Sequence, residues 1–182
     1  ALGLDFGKAP SSQITGVVSP TPVNELLGLA VQADSSLGTL GLLYDPAQPS
    51  SQAEIERVKT YCSEQGLEVV EATVSDEESV QQAATDLCTK VDAIFTPADN
   101  TVAPKAAKIP WYTGSDSMVQ AGALASMGVT GREMGVQVAD MAVELIEGGD
   151  IADVPVYTFT QYQTYVNQTT LKALEGLTLP EE

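Results

Sequence analysis

Residues 40–74 read LGLLYDPAQPSSQAEIERVKTYCSEQGLEVVEATV, and this stretch decides the fold class. The apolar run at residues 40–44 predicts a buried strand, and residues 67–74, rich in β-branched side chains, predict a second one. Between them Ser51 and Glu54 form a capping-box pattern that predicts a helix, and Gly66 is placed to end it. Strand, helix and strand at this spacing predict a βαβ unit with parallel strands.

The same alternation continues in both directions along the chain. Further strands are predicted at residues 14–18, 91–96, 109–112, 124–129 and 156–159, and around Tyr165. Helices are predicted after Thr21 with Pro22 in the first helical position, from the box-like starts at Ser75 and Thr130, and at residues 170–175. The helix after Thr130 carries its apolar face on Met134, Val138, Met141, Ala142, Leu145 and Ile146. The predicted fold class is α/β, a flavodoxin-like doubly wound and largely parallel sheet.

Charge and composition exclude several classes of function. The 182 residues hold 8 Lys and Arg against 25 Asp and Glu, a net charge of −17. Nucleic acids and anionic membranes require a basic surface, so neither is expected as a partner. The chain has no histidine, which excludes Ser-His-Asp and Cys-His nucleophile systems and histidine-bearing zinc sites. The two cysteines, Cys62 and Cys88, are too few for a disulfide scaffold; buried thiols or one disulfide are the open alternatives.

No apolar run approaches the roughly 20 residues that a membrane-spanning helix needs. Residues 1–10 lack the basic start and apolar stretch of a signal peptide. From the residues by themselves, a cytosolic protein and a processed form of an exported protein are both open.

Polar side chains follow each predicted strand. They are Ser19 and Thr21; Tyr44, Asp45, Ser50 and Ser51; Ser75; Asp99, Asn100 and Thr101; and Ser115, Asp116 and Ser117. In doubly wound sheets, ligands bind outside the carboxyl ends of the strands. Amides and hydroxyls can hold a carboxylate, and Asp99 or Asp116 can hold an ammonium group, so the set suits a zwitterion. The alternative is that these residues cap helices and shape turns.

Other motifs predict no chemistry. No glycine-rich phosphate loop follows a strand, so no nucleotide cofactor is expected, and no metal site is predicted. The acidic run that begins at Asp76 suits a helix start, and Trp111 suits core packing. Asn167 begins a glycosylation sequon, which is weak evidence in isolation.

Several segments carry a resemblance to a known family. They are residues 14–23, 42–46, 69–74, 91–95, 99–103, 108–112 and 122–125. In order along the chain, they resemble the ABC-transporter substrate-binding proteins of the tryptophan/tyrosine type. The resemblance implies a type I periplasmic-binding-protein fold, a small solute such as an aromatic amino acid, and no enzymatic activity. It also implies export, often as a lipoprotein, and delivery of the solute to a membrane permease with its ATPase.

Four departures from the family accompany the resemblance. Family chains carry an amino-terminal lobe ahead of the segment that matches Ala1, and a full helix where this sequence has Pro104 and its neighbours. The family usually has a bulky residue at the position of Gly131, and often aspartate at that of Ser19. The chain is accordingly interpreted as one lobe, residues 1–182, with residues 156–182 in that lobe, a hinge or a second lobe.

The resemblance implies a ligand-binding set in the cleft. The matching positions are Asp99, Asn100, Thr101, Ser115 and Asp116, with Tyr44 and Ser51 as additional candidates. Two alternatives to a receptor stay open. One is an enzyme that uses Asp99 and Asp116 as acid and base. The other is an isolated lobe without activity of its own.

Overall fold

The computed structural model describes residues 10, 13–99, 101–102, 108–174 and 176–179. Its strands are β1 (Val17–Val18), β2 (Thr39–Tyr44), β3 (Glu68–Thr73), β4 (Ala93–Thr96), β5 (Trp111–Thr113), β6 (Ala125–Gly128), β7 (Tyr157–Thr158) and β8 (Gln163–Val166). Its helices are α1 (Val23–Ala33), α2 (Pro49–Gln65), α3 (Glu77–Leu87), α4 (Asp116–Ala121), α5 (Gly131–Ile146) and α6 (Gln168–Ala173). One turn of 3-10 helix, Ile151–Asp153, follows α5.

The chain forms two compact units. The first unit consists of Ala1–Pro20 and Gly128–Gln163, and the second of Thr21–Met127 and Thr164–Glu182. The tail is therefore divided, with residues 156–163 in the first unit and the described residues from Thr164 onward in the second. The assignment of the whole chain to one lobe of a binding protein stays a prediction.

The second unit contains a six-stranded sheet with the order β3-β2-β4-β5-β6-β8. The pairs β2–β3, β2–β4, β4–β5 and β5–β6 are parallel. Renumbered by their order within this sheet, the strands run 2-1-3-4-5-6, which begins with the flavodoxin order. The prediction of a flavodoxin-like α/β fold is confirmed. The strand order reverses between β2 and β4, and this pair of strands forms the topological switch point.

Helices cover both faces of this sheet because successive strand residues point to opposite sides. Leu42 and Phe95 face one core cluster, which Leu26 of α1 and Ile55 of α2 complete. The next strand residues, such as Leu43 and Ile94, face a second cluster with Leu87 of α3 and Met118 of α4. The two apolar layers fix the sheet between helices and leave the loops at its carboxyl edge to carry polar groups.

Two helix starts differ from the prediction. Helix α2 begins at Pro49 with Gln48 as its N-cap, so the predicted capping box at Ser51 was wrong. Proline is favoured in the first helical turn, where its missing N–H costs no hydrogen bond, and the N-cap therefore lies three residues closer to the amino terminus than predicted. Helix α1 begins at Val23, so Pro22 precedes the helix instead of opening it.

Of the other two predicted capping boxes, the structure confirms the one at Thr130 and does not contain the one at Ser75. At α3 the N-cap is Asp76, whose carboxylate accepts a hydrogen bond from the Ser79 amide at 2.8 Å, and Ser75 lies outside the helix. At α5 the predicted box is confirmed. The Thr130 hydroxyl accepts from the Glu133 amide at 3.0 Å, and the Glu133 carboxylate accepts from the Thr130 amide at 2.8 Å. At α3 the predicted box was therefore wrong, because aspartate is as good an N-cap as serine and Asp76 takes that position.

The first unit contains the short parallel pair β1–β7, with Val17 opposite Tyr157, and the helix α5. Met141 is buried on α5, but Val138 is 46% exposed, Ile146 is 83% exposed and Ala142 is also exposed, so the predicted apolar face is wrong at these three positions. Val136 and Val143 are also about half exposed, at 54% and 51%. The described strands of this unit are two residues long and cover a narrow stripe of the helix, which leaves the rest of its apolar surface open.

Several single residues have structural roles. Cys62, buried in α2, and Cys88, beside α3, are both free thiols.

Trp111 is buried, and its Nε1 donates to the Thr96 hydroxyl at 2.9 Å, which confirms the packing interpretation. Asn167 is the N-cap of α6: its Oδ1 accepts from the amides of Thr169 and Thr170, each at 3.0 Å. The sequon asparagine therefore has a structural function at the helix start.

Candidate functional site

The switch point of the second unit brings two acidic residues together. Asp45 directly follows β2, and Asp99 lies in the loop that follows β4, the neighbouring parallel strand. Both side chains are buried, with Asp45 8% and Asp99 5% exposed. In doubly wound sheets this crevice is where ligands bind, so the hydrogen-bond partners of the two carboxylates determine what the site can do.

Both oxygens of Asp99 accept hydrogen bonds from the chain itself. Oδ2 accepts from the Asp45 amide at 2.8 Å and from the Ser51 hydroxyl at 3.2 Å. Oδ1 accepts from Nε2 of Gln48 at 2.8 Å and from the Thr101 amide at 2.7 Å. Four donors around one carboxylate stabilise its charge in a buried position. Asp99 therefore holds the loops after β2 and β4 and the first turn of α2 in one arrangement.

Thr101 extends this network. Its hydroxyl donates a hydrogen bond to Oδ2 of Asp45 at 2.9 Å. The same hydroxyl accepts a hydrogen bond from the side-chain Nε2 of Gln48 at 3.0 Å. Asp45 also accepts from the Ala47 amide at 2.8 Å. These bonds, that of Ala47 above all, hold the pKa of Asp45 below its usual range against the opposing effect of burial. We call Asp45, Gln48, Ser51, Asp99 and Thr101 the switch-point cluster.

Ser115 and Asp116 lie on the adjacent loop, between β5 and α4. The Ser115 hydroxyl is 2.8 Å from that of Ser117 and makes no capping bond, although Ser115 is the N-cap residue of α4. Asp116 is exposed, and its Oδ1 accepts from the Ser117 amide at 2.9 Å. These two side chains have hydrogen-bonding capacity that can serve a ligand, in contrast to Asp99.

Tyr44 directs its hydroxyl away from the cluster. The hydroxyl donates to Oε2 of Glu71 on β3 at 2.9 Å, and the same oxygen pairs with Lys59 at 2.9 Å. Burial, followed by the hydrogen bond to Glu71, raises the pKa of Tyr44. Asn100 and the predicted helix gap around Pro104 lie outside the described residues.

Three residues at this edge of the sheet were not predicted. Gln48 precedes Pro49, and its position before a helix-opening proline was the available signal. Glu54 was assigned to a capping box, but it falls on the buried stripe of α2 together with Ser51 and Val58. Gly114 follows β5 in a space that a Cβ would fill, since that atom would lie 2.5 Å from Oε1 of Glu54. No local sequence pattern indicates such a contact.

Two further observations concern metal ions and membranes. Within the described ranges, no group of three acidic or sulfur-bearing side chains is arranged to hold a metal ion. No helix in that part of the chain has the length and apolar character that crossing a membrane requires.

A sequence profile describing the ABC transporter substrate binding protein family matches residues 4–182, nearly the whole chain. The chain belongs to this family. The family resemblance found in the sequence is confirmed, and the family is one of substrate-binding proteins, not of enzymes.

Individual relatives support this assignment. The substrate-binding chain is 27% identical over 175 residues to a tyrosine-binding protein of Clostridioides difficile, covering 91% of this chain and 51% of the relative. Among solved structures, the ABC domain from Streptococcus pneumonia in complex with L-Trp is 28% identical with a TM-score of 0.83. That match covers 97% of this chain and 64% of the solved one. A conserved domain protein from Vibrio cholerae has the same identity and TM-score, with 96% and 62% covered.

These relatives are considerably longer than the substrate-binding chain. It spans about half of the curated relative, at 51%, and less than two thirds of the two solved chains. The solute, the position of its site and the transport partners of this chain are therefore matters of proposal.

Proposed function

We propose that this chain is the solute receptor of an ABC importer and binds an aromatic amino acid at the carboxyl edge of the second unit. The switch-point cluster carries the proposal, because it places buried polar groups in the crevice where folds of this kind bind ligands. The similarity to a protein solved with L-Trp and to a tyrosine-binding protein supports the choice of solute.

The hydrogen bonds within the chain suggest which side chains fix the loops and which ones contact the solute. Asp99, with four internal donors, acts by fixing the loops, and Ser51 and Thr101 complete that arrangement. Ser115 and Asp116 contact the solute: the exposed carboxylate binds its ammonium group, and the serine hydroxyl donates to its carboxylate. Asn100 and Tyr44 remain in the proposed set, Tyr44 through its position at the end of β2.

The receptor role has consequences for partners and location. The proposed receptor works outside the cytoplasm, in the periplasm or as a lipoprotein at the cell surface. It passes the solute to a permease driven by an ATPase. An enzyme based on Asp99 and Asp116 is the weaker alternative, since every oxygen of Asp99 already accepts hydrogen bonds within the chain. An isolated lobe without activity is the other alternative.

Thermal unfolding with a panel of solutes tests the proposal. Free L-Trp, L-Tyr and L-Phe are compared with L-Leu, L-Glu and D-ribose at millimolar concentration. A solute at 100 times its Kd stabilises the folded chain by about 2.7 kcal/mol, a shift of a few degrees. A shift with the aromatic amino acids and with no other solute is expected. No shift with any of them contradicts the proposal that this chain binds such a solute.

Two variants locate the site. Ser115→Ala and Asp116→Asn remove groups without internal structural partners on other elements, so each should weaken the binding of L-Trp about tenfold with little change in stability. Ser63→Ala, exposed near the far end of α2, is the matched control and should leave the affinity unchanged. Equal affinity in all three variants would place the solute elsewhere.

A further inference from the structure

Glu54 is a buried acid that the proposed solute contacts do not use. It lies in the second turn of α2, is 7% exposed, and its Oε1 has no hydrogen-bond partner. A buried carboxyl group with an unpartnered oxygen is costly if it is ionised, because the charge loses its hydration without a replacement.

Three segments from the carboxyl edge of the sheet converge on this carboxyl group. A Cβ placed on Gly114, after β5, would lie 2.5 Å from Oε1 of Glu54. The same point is 2.8 Å from the amide nitrogen of Ala98, after β4, and 2.9 Å from the hydroxyl of Thr21, before α1. Because Thr21 and the Ala98 amide also interact with the Glu54 carboxyl group, this side chain of α2 contacts the loop that leads to Ser115 and Asp116, the loop that leads to Asp99, and the start of α1.

The charges around Glu54 do not neutralise it. Arg57, one turn further along α2, donates from Nη1 to the Thr21 carbonyl oxygen at 2.9 Å and forms no described ion pair with Glu54. On the neighbouring loops, the Asp99 carboxylate is fully hydrogen-bonded, and Asp116 is exposed and bonded to the Ser117 amide. Burial raises the pKa of Glu54, while Thr21, Arg57 and the Ala98 amide lower it by less.

We propose that Glu54 keeps its proton to a higher pH in the folded chain than in the unfolded chain and that, in the protonated form, it positions the three segments around the candidate solute site. The solute part rests on the proposed function; the protonation part does not. When Glu54 loses its proton, a buried charge that Thr21, Arg57 and the Ala98 amide offset only in part lies against Gly114 and loosens the loop that presents Ser115 and Asp116.

The direction of the pH effect follows from proton linkage. Glu54 binds its proton more tightly in the folded chain than in the unfolded chain, where its pKa is near 4.5. The folded state therefore holds more protons between pH 4.5 and the raised folded pKa, and stability falls as the pH rises through this window. Because the folded and unfolded states differ by at most one bound proton at Glu54, the unfolding equilibrium constant increases by up to about tenfold per pH unit in this window.

Glu54→Gln tests the proposal because glutamine has the same shape and cannot ionise. Urea unfolding is measured for the wild type, Glu54→Gln and the control Glu64→Gln, an exposed change of equal charge on the same helix, from pH 5 to pH 9. The wild type and Glu64→Gln should lose stability with rising pH more steeply than Glu54→Gln. Parallel profiles for all three proteins would overturn the proposal.

Binding of L-Trp over the same pH range tests the positioning role. Wild-type affinity should fall as the pH rises, and Glu54→Gln should keep the low-pH affinity throughout. A Glu54→Gln variant that binds more weakly by the same factor at every pH overturns the positioning role. If L-Trp does not bind the wild type at all, the proposed function fails, while the unfolding profiles still decide the protonation of Glu54.

Discussion

The backbone amide of Asp45 donates a 2.8 Å hydrogen bond to the carboxylate of Asp99 and so joins the loops that follow two neighbouring strands. Ser51, Gln48 and Thr101 donate to the same carboxylate. The Asp99 carboxylate thus accepts hydrogen bonds from the end of β2, the loop after β4 and the start of α2. This arrangement makes the crevice at the switch point a rigid one.

Asp99→Asn should therefore lower the free energy of unfolding by about 3 kcal/mol, because the amide NH₂ group faces donors whichever way it is turned. Urea unfolding followed by circular dichroism measures the change. Asp116→Asn, an exposed carboxylate on the next loop, is the matched control and should change stability by less than about 0.5 kcal/mol. Equal effects of the two substitutions would show that the network does not stabilise the fold.

Gly114→Ala should destabilise the second unit by about 1–3 kcal/mol through overpacking. The new methyl group would lie 2.8 Å from the backbone nitrogen of Ala98, which cannot move independently of β4. Gly28→Ala in α1 has ordinary contacts, the nearest at 3.8 Å, and should instead stabilise the helix by up to about 1 kcal/mol. Thermal unfolding of both variants should give shifts of opposite sign; shifts of the same sign contradict this packing.

Substitutions to lysine should distinguish the two sides of α5. Val143→Lys, at a side chain that is 51% exposed, should change the free energy of unfolding by at most about 0.5 kcal/mol. Met141→Lys buries an ammonium group at a position that is 7% exposed and should cost about 3 kcal/mol or more. Comparable losses at both positions would mean that the described orientation of the helix is wrong.

The two thiols should react at different rates with a thiol reagent. Burial raises the pKa of Cys62 to about 11, so roughly one molecule in a thousand carries the reactive thiolate at pH 8. Cys88 is less deeply buried and should react first. Two thiols should be titrated in denaturant, and the Cys88→Ser variant should retain the slow one by itself. Absence of reaction in denaturant without reductant would indicate a disulfide.

The sequence predicted what depends on local pattern. Apolar runs predicted the strands of the six-stranded sheet to within about two residues, because a buried parallel strand has to be apolar on both sides. The capping box at Thr130 was predicted correctly, whereas Pro49 displaced the one expected at Ser51. A proline two residues before a serine changes the start of a helix, and the box pattern does not contain that information.

The candidate site could be predicted in position but not in its bonding. Rules for parallel sheets predicted that the residues after β2, β4 and β5 share one edge. They did not predict that Asp99 would be enclosed by four donors, because these come from Asp45, Gln48, Ser51 and Thr101 at separations of up to 54 residues. Glu54 was misassigned because a helix-start motif and a buried helical stripe overlap at that residue.

The position of Trp111 allows its intrinsic fluorescence to report on the unfolding of the second unit. It is the single tryptophan in the sequence, it is 2% exposed on β5, and it lies three residues before Gly114. Its emission therefore follows the second unit and the loop leading to Ser115, while the far-ultraviolet circular dichroism also registers α5 of the first unit. Comparing the two signals during one denaturation, without any label, shows whether the units unfold as one cooperative structure or in separate steps.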